Sequence, residues 1–320
     1  MTTTVDPTEN AAVPCAFCAA MRRVAGAVLP VLMVVGVIVL IWYAGAYLMN
    51  RSITLDTAER RDVELTAGEV FADTMAQERP RLPAPHQVIA ELWNTTAGEE
   101  MFRIRRGELR PNPRSLFFHA YQTLAPTILG FVIGSLAGLL LAIGIVHNRA
   151  MDLSVMPWAI ASQTIPILAV APIVIVVLNA VGLTGVVPKS LISAYLSFFP
   201  VVVGMVKGLR SPSAMDLDLL RTYSASASET LFKLRLPSSV PFLFASLKVG
   251  IAAALVGTIV AELPTGARFG LGARLLTGSY YGQTIQIWSA LFMAAICAAA
   301  LVALLGLAER ITLRRMGLGA

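Results

Sequence analysis

Charged side chains inside long apolar runs are the first candidates for chemistry in this sequence. A charge within a membrane-length helix is costly and marks a functional position by default. Lys248 falls about ten residues into an apolar run over 239–262, and Lys189 stands near the start of another over 187–206. Buried there, Lys248 can face a polar pathway, pair with a carbonyl, or snorkel to the interface along its aliphatic stem. Glu262 ends the first of these runs and heads the glycine-rich stretch ELPTGARFGLGARLL. Enzymatic constellations are lacking. There is no G-x-x-x-x-G-K-[ST] loop to cradle phosphates and no G-x-S-x-G elbow. Cys15 and Cys18 form a C-x-x-C with no second pair to complete a zinc site. Cys297 reads as small packing material. His86, His119 and His147 are scattered near run ends and read as interfacial residues.

The elements that carry these residues are membrane spans. Of the 320 residues 56% are hydrophobic and 14% charged, against about a quarter charged in a soluble domain. The excess lies in blocks long enough to cross a bilayer, which takes roughly 20 residues per helix. Six spans are predicted, at 27–47, 118–145, 153–180, 187–206, 239–262 and 284–308. The runs are too long for barrel strands and lack an alternating polar face. A cleaved signal peptide is the other reading of 27–47, but the run is long for one and no small-x-small site follows it.

Flanking charge sets the orientation. Arg22 and Arg23 precede the first span; His147 and Arg149 follow the second; Lys207 and Arg210 follow the fourth; Arg310, Arg314 and Arg315 follow the sixth. With both termini inside, all four clusters are cytoplasmic, as the positive-inside rule asks. The net charge of +6 therefore suits lipid headgroups and topology, and no base-reading stripe points to nucleic acid. The expected organisation is a cytoplasmic tail over 1–26, a first helix over 27–47, an outer segment over 48–117, a membrane core over 118–310 with a cytoplasmic loop at 208–238, and a tail over 311–320. In the outer segment Leu82-Pro83-Ala84-Pro85 interrupts any helix. Val88, Ile89 and Leu92 then recur at helical spacing, as in a helix lying on the membrane surface. The charges of RIRRGELR (103–110) read as a solvated face.

The third run contains Pro157, Pro166 and Pro172, with Gln163 and Thr164 nearby. Proline removes a backbone donor and kinks a helix. Broken membrane helices persist where protein or a water-filled cavity covers them. Gln163, Thr164, Pro166 and Pro172, with Lys248, are therefore the candidate lining of a translocation pathway. Glycines 130, 134, 138 and 144 fall nearly on one face of the second run, a small-residue stripe that permits close helix packing.

A polar, amphipathic stretch of about thirty residues, from Lys207 to Leu236-Pro237, separates the fourth and fifth runs. It reads as a docking element on the cytoplasmic face. Here the chain resembles the inner-membrane permeases of bacterial ABC importers, most closely the nitrate, sulfonate and taurine type. The family's cytoplasmic signature is E-A-A, a glycine four residues on, and a late L-P. Leu236-Pro237 matches the end; Asp218-Leu219-Leu220 stands at E-A-A and Ser224 at the glycine. LPAP (82–85), SQTIPILAVAPIVIVVLNAVGLTGVVPK (162–189) and AELPTG…GLG (261–272) resemble further pieces of that family. The likeness covers roughly 80–315.

That resemblance implies an all-α, polytopic membrane protein. It would have the type I ABC importer permease fold, with about six transmembrane helices and a cytoplasmic coupling helix. It implies a bacterial inner-membrane location and a second permease subunit, as a homodimer or a similar partner. It also implies an ABC ATPase dimer below and a periplasmic or lipid-anchored solute-binding protein above. ATP and Mg would be bound by the partner ATPase, with no cofactor in this chain. Asp218 and Arg221 would make polar contacts with the ATPase, and Leu219, Leu220, Leu231 and Phe232 apolar ones. Ser224 would hold the turn, and Pro237 would set the angle to the fifth membrane helix. The expected cargo is a small polar or anionic solute such as a sulfonate, nitrate, or a pyrimidine of the thiamine-precursor kind. A secondary transporter would show inverted repeats and paired intramembrane acids. A membrane enzyme would show a polar cluster at one depth. Neither pattern is found in the sequence.

Overall fold

The structure is a computed structural model and describes residues 16–105 and 108–317. Cys15 lies outside the described residues, and of Cys18 only the helical backbone is described. The chain divides into two compact units, Met1–Gln87 and Val88–Ala320.

In the first unit, α1 (Ala16–Arg60) runs well past the expected end at 47, because nothing between Tyr47 and Arg60 breaks a helix. From Leu29 onward its apolar side chains are largely exposed, as a lipid-facing span requires. The far end of α1 packs on α2 (Ala67–Ala76), whose start is fixed by a capping box between Thr66 and Glu69. The Thr66 backbone and hydroxyl donors hold the Glu69 carboxyl below its ordinary range. Asn50 on α1 is almost fully buried. It donates to the Leu82 carbonyl at 2.7 Å and accepts the Arg81 and Leu82 N–H groups at 2.8 and 3.2 Å. The Leu-Pro-Ala-Pro punctuation is thereby tied to the helix before it.

The second unit is built on three long helices, α4 (Leu116–His147), α7 (Val186–Leu209) and α10 (Leu236–Glu262). They approach closely because each presents glycine or serine to the others. The glycine stripe on α4 is a packing seam against α7. A Cβ added at Gly134 would lie 2.3 Å from Ser197 Oγ and 2.5 Å from the Ala194 carbonyl. Backbone on the far side cannot yield, so Gly134→Ala should destabilise by about 1–3 kcal/mol of overpacking. Thermal unfolding of the purified variant in detergent measures this, and an unchanged Tm would contradict the seam. Buried hydroxyls join the same helices: Thr127 and Thr258 lie 2.9 Å apart, and Ser193 donates to the Ala254 carbonyl at 3.0 Å. An apolar cluster at one end of the bundle includes Ile145, Val202, Met205 and Leu209. Another at the opposite end gathers Leu116, Leu255, Leu271 and Met293.

Around this core lie α11 (Leu271–Tyr280), α12 (Thr284–Arg315) and the short surface helix α3 (Pro85–Thr96). α3 turns Val88 and Leu92 inward and leaves Ile89 and Trp93 exposed. The segment 103–110, whose charges read as a solvated face, contributes to a two-stranded antiparallel hairpin. It pairs β1 (Phe102–Arg105) with β2 (Glu108–Pro111), Arg103 opposite Arg110.

Among the described residues five helices are long and apolar enough to cross a membrane. The predicted third span is not one of them. It divides into α5 (Arg149–Ser162) and α6 (Ile167–Ala180), bent by 98° at the break. Pro166 explains the position. It cannot donate into the preceding turn, and it stands as the N-cap of α6 in extended conformation. Pro157 and Pro172 lie inside α5 and α6 and are tolerated there without a break.

Candidate functional site: the docking segment, the broken helix and the buried charges

The polar stretch between α7 and α10 folds as two helical pieces. Ser213 caps α8 (Ala214–Thr222) through a capping box with Asp216, and Ser226 caps α9 (Ala227–Thr230) through another with Glu229. The turn between them is a Schellman closure. The Ser224 N–H donates to the Arg221 carbonyl at 2.9 Å, and the Ala225 N–H to the Leu220 carbonyl at 3.0 Å. That closure puts Ser224 at φ 54°, the left-handed region that favours glycine. Ser224→Gly should therefore relieve about 1 kcal/mol of local strain. Slower amide exchange in α8, by roughly fivefold, is the expected readout. Equal exchange in both proteins would contradict it.

α9 does not end at Pro237. The chain passes through a π-helical turn, Leu231–Arg235, directly into α10. The Leu236 N–H reaches back to the Leu231 carbonyl, and this widened turn makes room for a proline in the first turn of α10. The expected change of direction at Pro237 is thus a bulge in a continuous helix. Arg235 donates to the Leu209 carbonyl at 3.2 Å and ties this junction to the end of α7.

The exposed surface of the segment differs in part from expectation. Met215, Leu219 and Tyr223 recur every four residues along α8 and are 81%, 56% and 77% exposed. Phe232 is also exposed. Leu219 and Phe232 are as expected; Met215 and Tyr223 are additional, and their four-residue spacing with Leu219 is the signal in the sequence. Leu231, expected as a contact for a partner, is instead buried in the cluster with Val202 and Leu209. The first turn after the α9 cap points it back at the bundle. Leu220 is half-buried. Asp218 and Arg221 are exposed and pair with each other at 2.9 Å, a surface contact of little energetic weight.

At the break between α5 and α6, Gln163, Thr164 and Pro166 are exposed, as is Pro172 within α6. Gln163 lines a cavity of about 230 Å³ with Tyr195, Leu196 and Phe199. The Tyr195 hydroxyl donates to the Ser162 carbonyl freed by the break. Lys248 is not brought to these residues. It reaches across Gly306 to Glu309 on α12 and forms an ion pair with it. Of the fates open to Lys248, the structure selects a carboxylate partner that the sequence reading did not name.

The most heavily buried charges lie at the other end of the bundle. Glu262 is fully buried. It accepts the Gly272 N–H at 2.8 Å and the Thr123 hydroxyl at 3.0 Å, and lies 3.5 Å from Lys189 Nζ. Thr123 in turn accepts the Leu271 N–H at 2.8 Å. Gly270, at φ 135°, is where a Cβ would collide with the Glu262 carboxylate at 2.4 Å, so the glycine-rich stretch is shaped around that side chain. His119, expected to be interfacial, is buried. Its Nδ1 lies 2.9 Å from the Gly270 carbonyl oxygen and 3.1 Å from the Gly270 nitrogen, and its Nε2 lies 3.0 Å from the Pro113 carbonyl oxygen. Arg274 on α11 also donates to Pro113 at 3.0 Å and lies 3.7 Å from Glu91. Burial pulls its guanidinium below the ordinary value, Glu91 opposes this, and the like charge of Arg114 adds to it. Among the described residues no group of three His, Cys, Asp or Glu side chains could hold a metal ion.

Comparison with known proteins places this arrangement. The chain is 32% identical over 159 residues to the formylaminopyrimidine transport permease protein ThiX of Halalkalibacterium halodurans, covering 49% of this chain and 62% of the relative. It is 28% identical over 233 residues to the riboflavin transport system permease protein RibX of Chloroflexus aurantiacus, covering 73% and 80%. It is 26% identical over 181 residues to the putative aliphatic sulfonates transport permease protein SsuC of Bacillus subtilis, covering 57% and 64%. The chain thus spans somewhat under two thirds of the first and third of these. The family described as the binding-protein-dependent transport system inner membrane component matches residues 130–318, more than half of the chain. That match takes in the glycine seam, the broken helix, the docking segment and the Lys189–Glu262 pair, and the chain belongs to this family of ABC transporter permeases.

Proposed function

We propose that this chain is the membrane-spanning permease subunit of an ATP-driven importer and couples closure of a partner ATPase to alternating access. The observation that carries this reading is the exposed apolar stripe of Met215, Leu219 and Tyr223, together with the exposed Phe232. The stripe lies on α8, which the tight turn at Ser224 joins to α9, and α9 continues through the π-helical turn into α10. An apolar stripe on a charged, water-facing helix needs a protein partner to cover it. Asp218 and Arg221 flank it as polar contacts and exchange their mutual pair for partner groups on docking.

The partner is an ABC ATPase dimer, which binds the ATP and Mg. Two copies of this chain enclose the pathway in a bacterial inner membrane with both termini in the cytoplasm. A periplasmic or lipid-anchored binding protein delivers solute to the opposite face. When the ATPases close, α8 and α9 move with them, and the widened turn at Leu231–Arg235 passes that motion to α10. The broken helix, with Gln163, Thr164, Pro166 and Pro172 at its exposed bend, lines the pathway. Lys248, neutralised by Glu309, braces α10 against α12.

The cargo is a small polar or anionic solute: a sulfonate, nitrate, or a pyrimidine related to thiamine precursors. The relatives named for formylaminopyrimidine and for aliphatic sulfonates favour that range. ATP hydrolysis by the chain reconstituted with the ATPase and binding protein encoded beside it, across a panel of such solutes, tests the reading. Stimulation by one solute class is expected. Hydrolysis indifferent to every solute and to the binding protein would contradict it.

A further inference from the structure

We propose that a cavity between the far end of α1 and α2 is a binding site for a small zwitterion, a molecule carrying a primary ammonium and an anionic group on one apolar body. The cavity has a volume of about 300 Å³, at the lower end of the range for small-ligand pockets. Arg61 and Asp73 both line it. Both are exposed, and among the described residues neither forms an ion pair, with the other or with a third group. The site lies wholly in the first unit and does not depend on the importer reading.

The walls of the cavity are held in place by local structure. Past α1 the Val63 N–H donates to the Ala58 carbonyl at 3.1 Å and the Asp62 N–H to the Glu59 carbonyl at 3.2 Å. This Schellman closure puts Asp62 at φ 53° and turns the chain back, so that Val63 and Leu65 share the cavity with Ile53 of α1. Thr54, almost fully buried, lies 2.9 Å from Thr74 of α2 through their hydroxyls. Gln77 Nε2 donates to Thr54 Oγ1 at 2.7 Å and to the Asn50 carbonyl at 3.1 Å. A carbonyl can only accept, so the Gln77 amide is fixed in this sense, and its buried Oε1 is left without a donor. An orphaned acceptor in the wall of a cavity calls for a partner.

The lining selects the ligand. An anion drawn to Arg61 meets the Asp73 carboxylate in the same cavity, and a cation drawn to Asp73 meets Arg61. A molecule with both signs gains from both. Its carboxylate takes the guanidinium fork of Arg61. Its ammonium has three donors to share between Asp73 and Gln77, which stand four residues apart. Ile53, Val63 and Leu65 offer an aliphatic wall to its side chain. An ethanolamine phospholipid headgroup shares this charge chemistry, but its depth is wrong. Thr54 and Arg61 follow the end of the apolar run at 47 by seven and fourteen residues, about 10–20 Å along a helix. The headgroup layer reaches only roughly 5–8 Å beyond the hydrocarbon. A free solute such as an α-amino acid is the occupant that fits.

The test titrates the full chain in nanodiscs with alanine, leucine and phenylalanine by calorimetry. The tightest of the three should bind at least tenfold more tightly than its deaminated acid and than its decarboxylated amine. Arg61→Gln should erase the advantage over the amine, and Asp73→Asn the advantage over the acid, with Tm unchanged in both. Affinity should be the same in phosphatidylethanolamine and phosphatidylglycerol discs. Amino acid binding seen only in phosphatidylglycerol discs would assign the cavity to the ethanolamine headgroup and overturn the free solute. No binding of any of the three up to roughly 10 mM, or binding indifferent to both substitutions, would overturn the site.

Discussion

Glu262→Ala should lower the stability of the chain by about 3–5 kcal/mol, as expected when one partner of a buried ion pair is removed. Two groups lose their acceptor at once, Lys189 Nζ and the Gly272 N–H, and the Thr123 hydroxyl keeps only the His119 carbonyl at 3.2 Å. Lys189 is itself buried. The substitution also removes the side chain around which Gly270 and Gly272 are folded, so the segment before α11 loses its anchor to α4. Thermal unfolding in detergent measures the loss, expected at roughly 10 °C in Tm. Lys189→Met combined with Glu262→Gln should recover most of it, because a neutral pair of similar volume carries no unpaired charge. A Glu262→Ala protein with wild-type Tm, or a double variant no better than the single one, would refute this account of the cluster.

Leu219→Asp combined with Tyr223→Asp should abolish solute-stimulated ATP hydrolysis while leaving the fold intact. Both side chains are mostly exposed, so the isolated chain loses little packing. In an interface their apolar area is buried, and two carboxylates there would be desolvated without partners. We expect at least a hundredfold loss of ATPase association by pull-down, with Tm within a degree or so of wild type. Leu231→Asp is the contrasting variant. Because Leu231 lies in the core with Val202 and Leu209, it should lower Tm as well as association. If the two exposed substitutions leave association unchanged, α8 is not the docking face.

These two predictions draw on different kinds of legibility. The long helices could be read from the chain because a membrane span needs only a run of apolar residues, and composition along the sequence states that directly. The break before Pro166 could be read in outline from the prolines, since their chemistry is local. The sharpness of the bend could not, because it depends on α6 lying against α7 and on Tyr195 taking the freed carbonyl of Ser162. The docking segment was legible as a polar interval with a resemblance, but which leucines face outward was not. Leu219 and Leu231 look alike in sequence and are separated only by the turn at Ser224 and the π-helical junction after Thr230. The buried charges were the least legible. Lys189 lies 73 positions from Glu262, Thr123 lies 139 from it, and His119 lies 151 from Gly270. A carboxylate at the end of an apolar run signals that a partner must exist, but only the packing of α4, α7 and α10 says which. The same holds for Glu309, which lies 61 positions from its partner Lys248.

Coupling of ATP to transport is tested by solute accumulation in sealed proteoliposomes containing this chain, its ATPase and its binding protein. ATP would be supplied on one face at a time. Accumulation is expected only when ATP is on the face that carries α8 and the binding protein is on the opposite face. Loss of accumulation in the Leu219→Asp/Tyr223→Asp protein is expected as well. Uptake without ATP, driven by a proton or sodium gradient and unaffected by those substitutions, would contradict it.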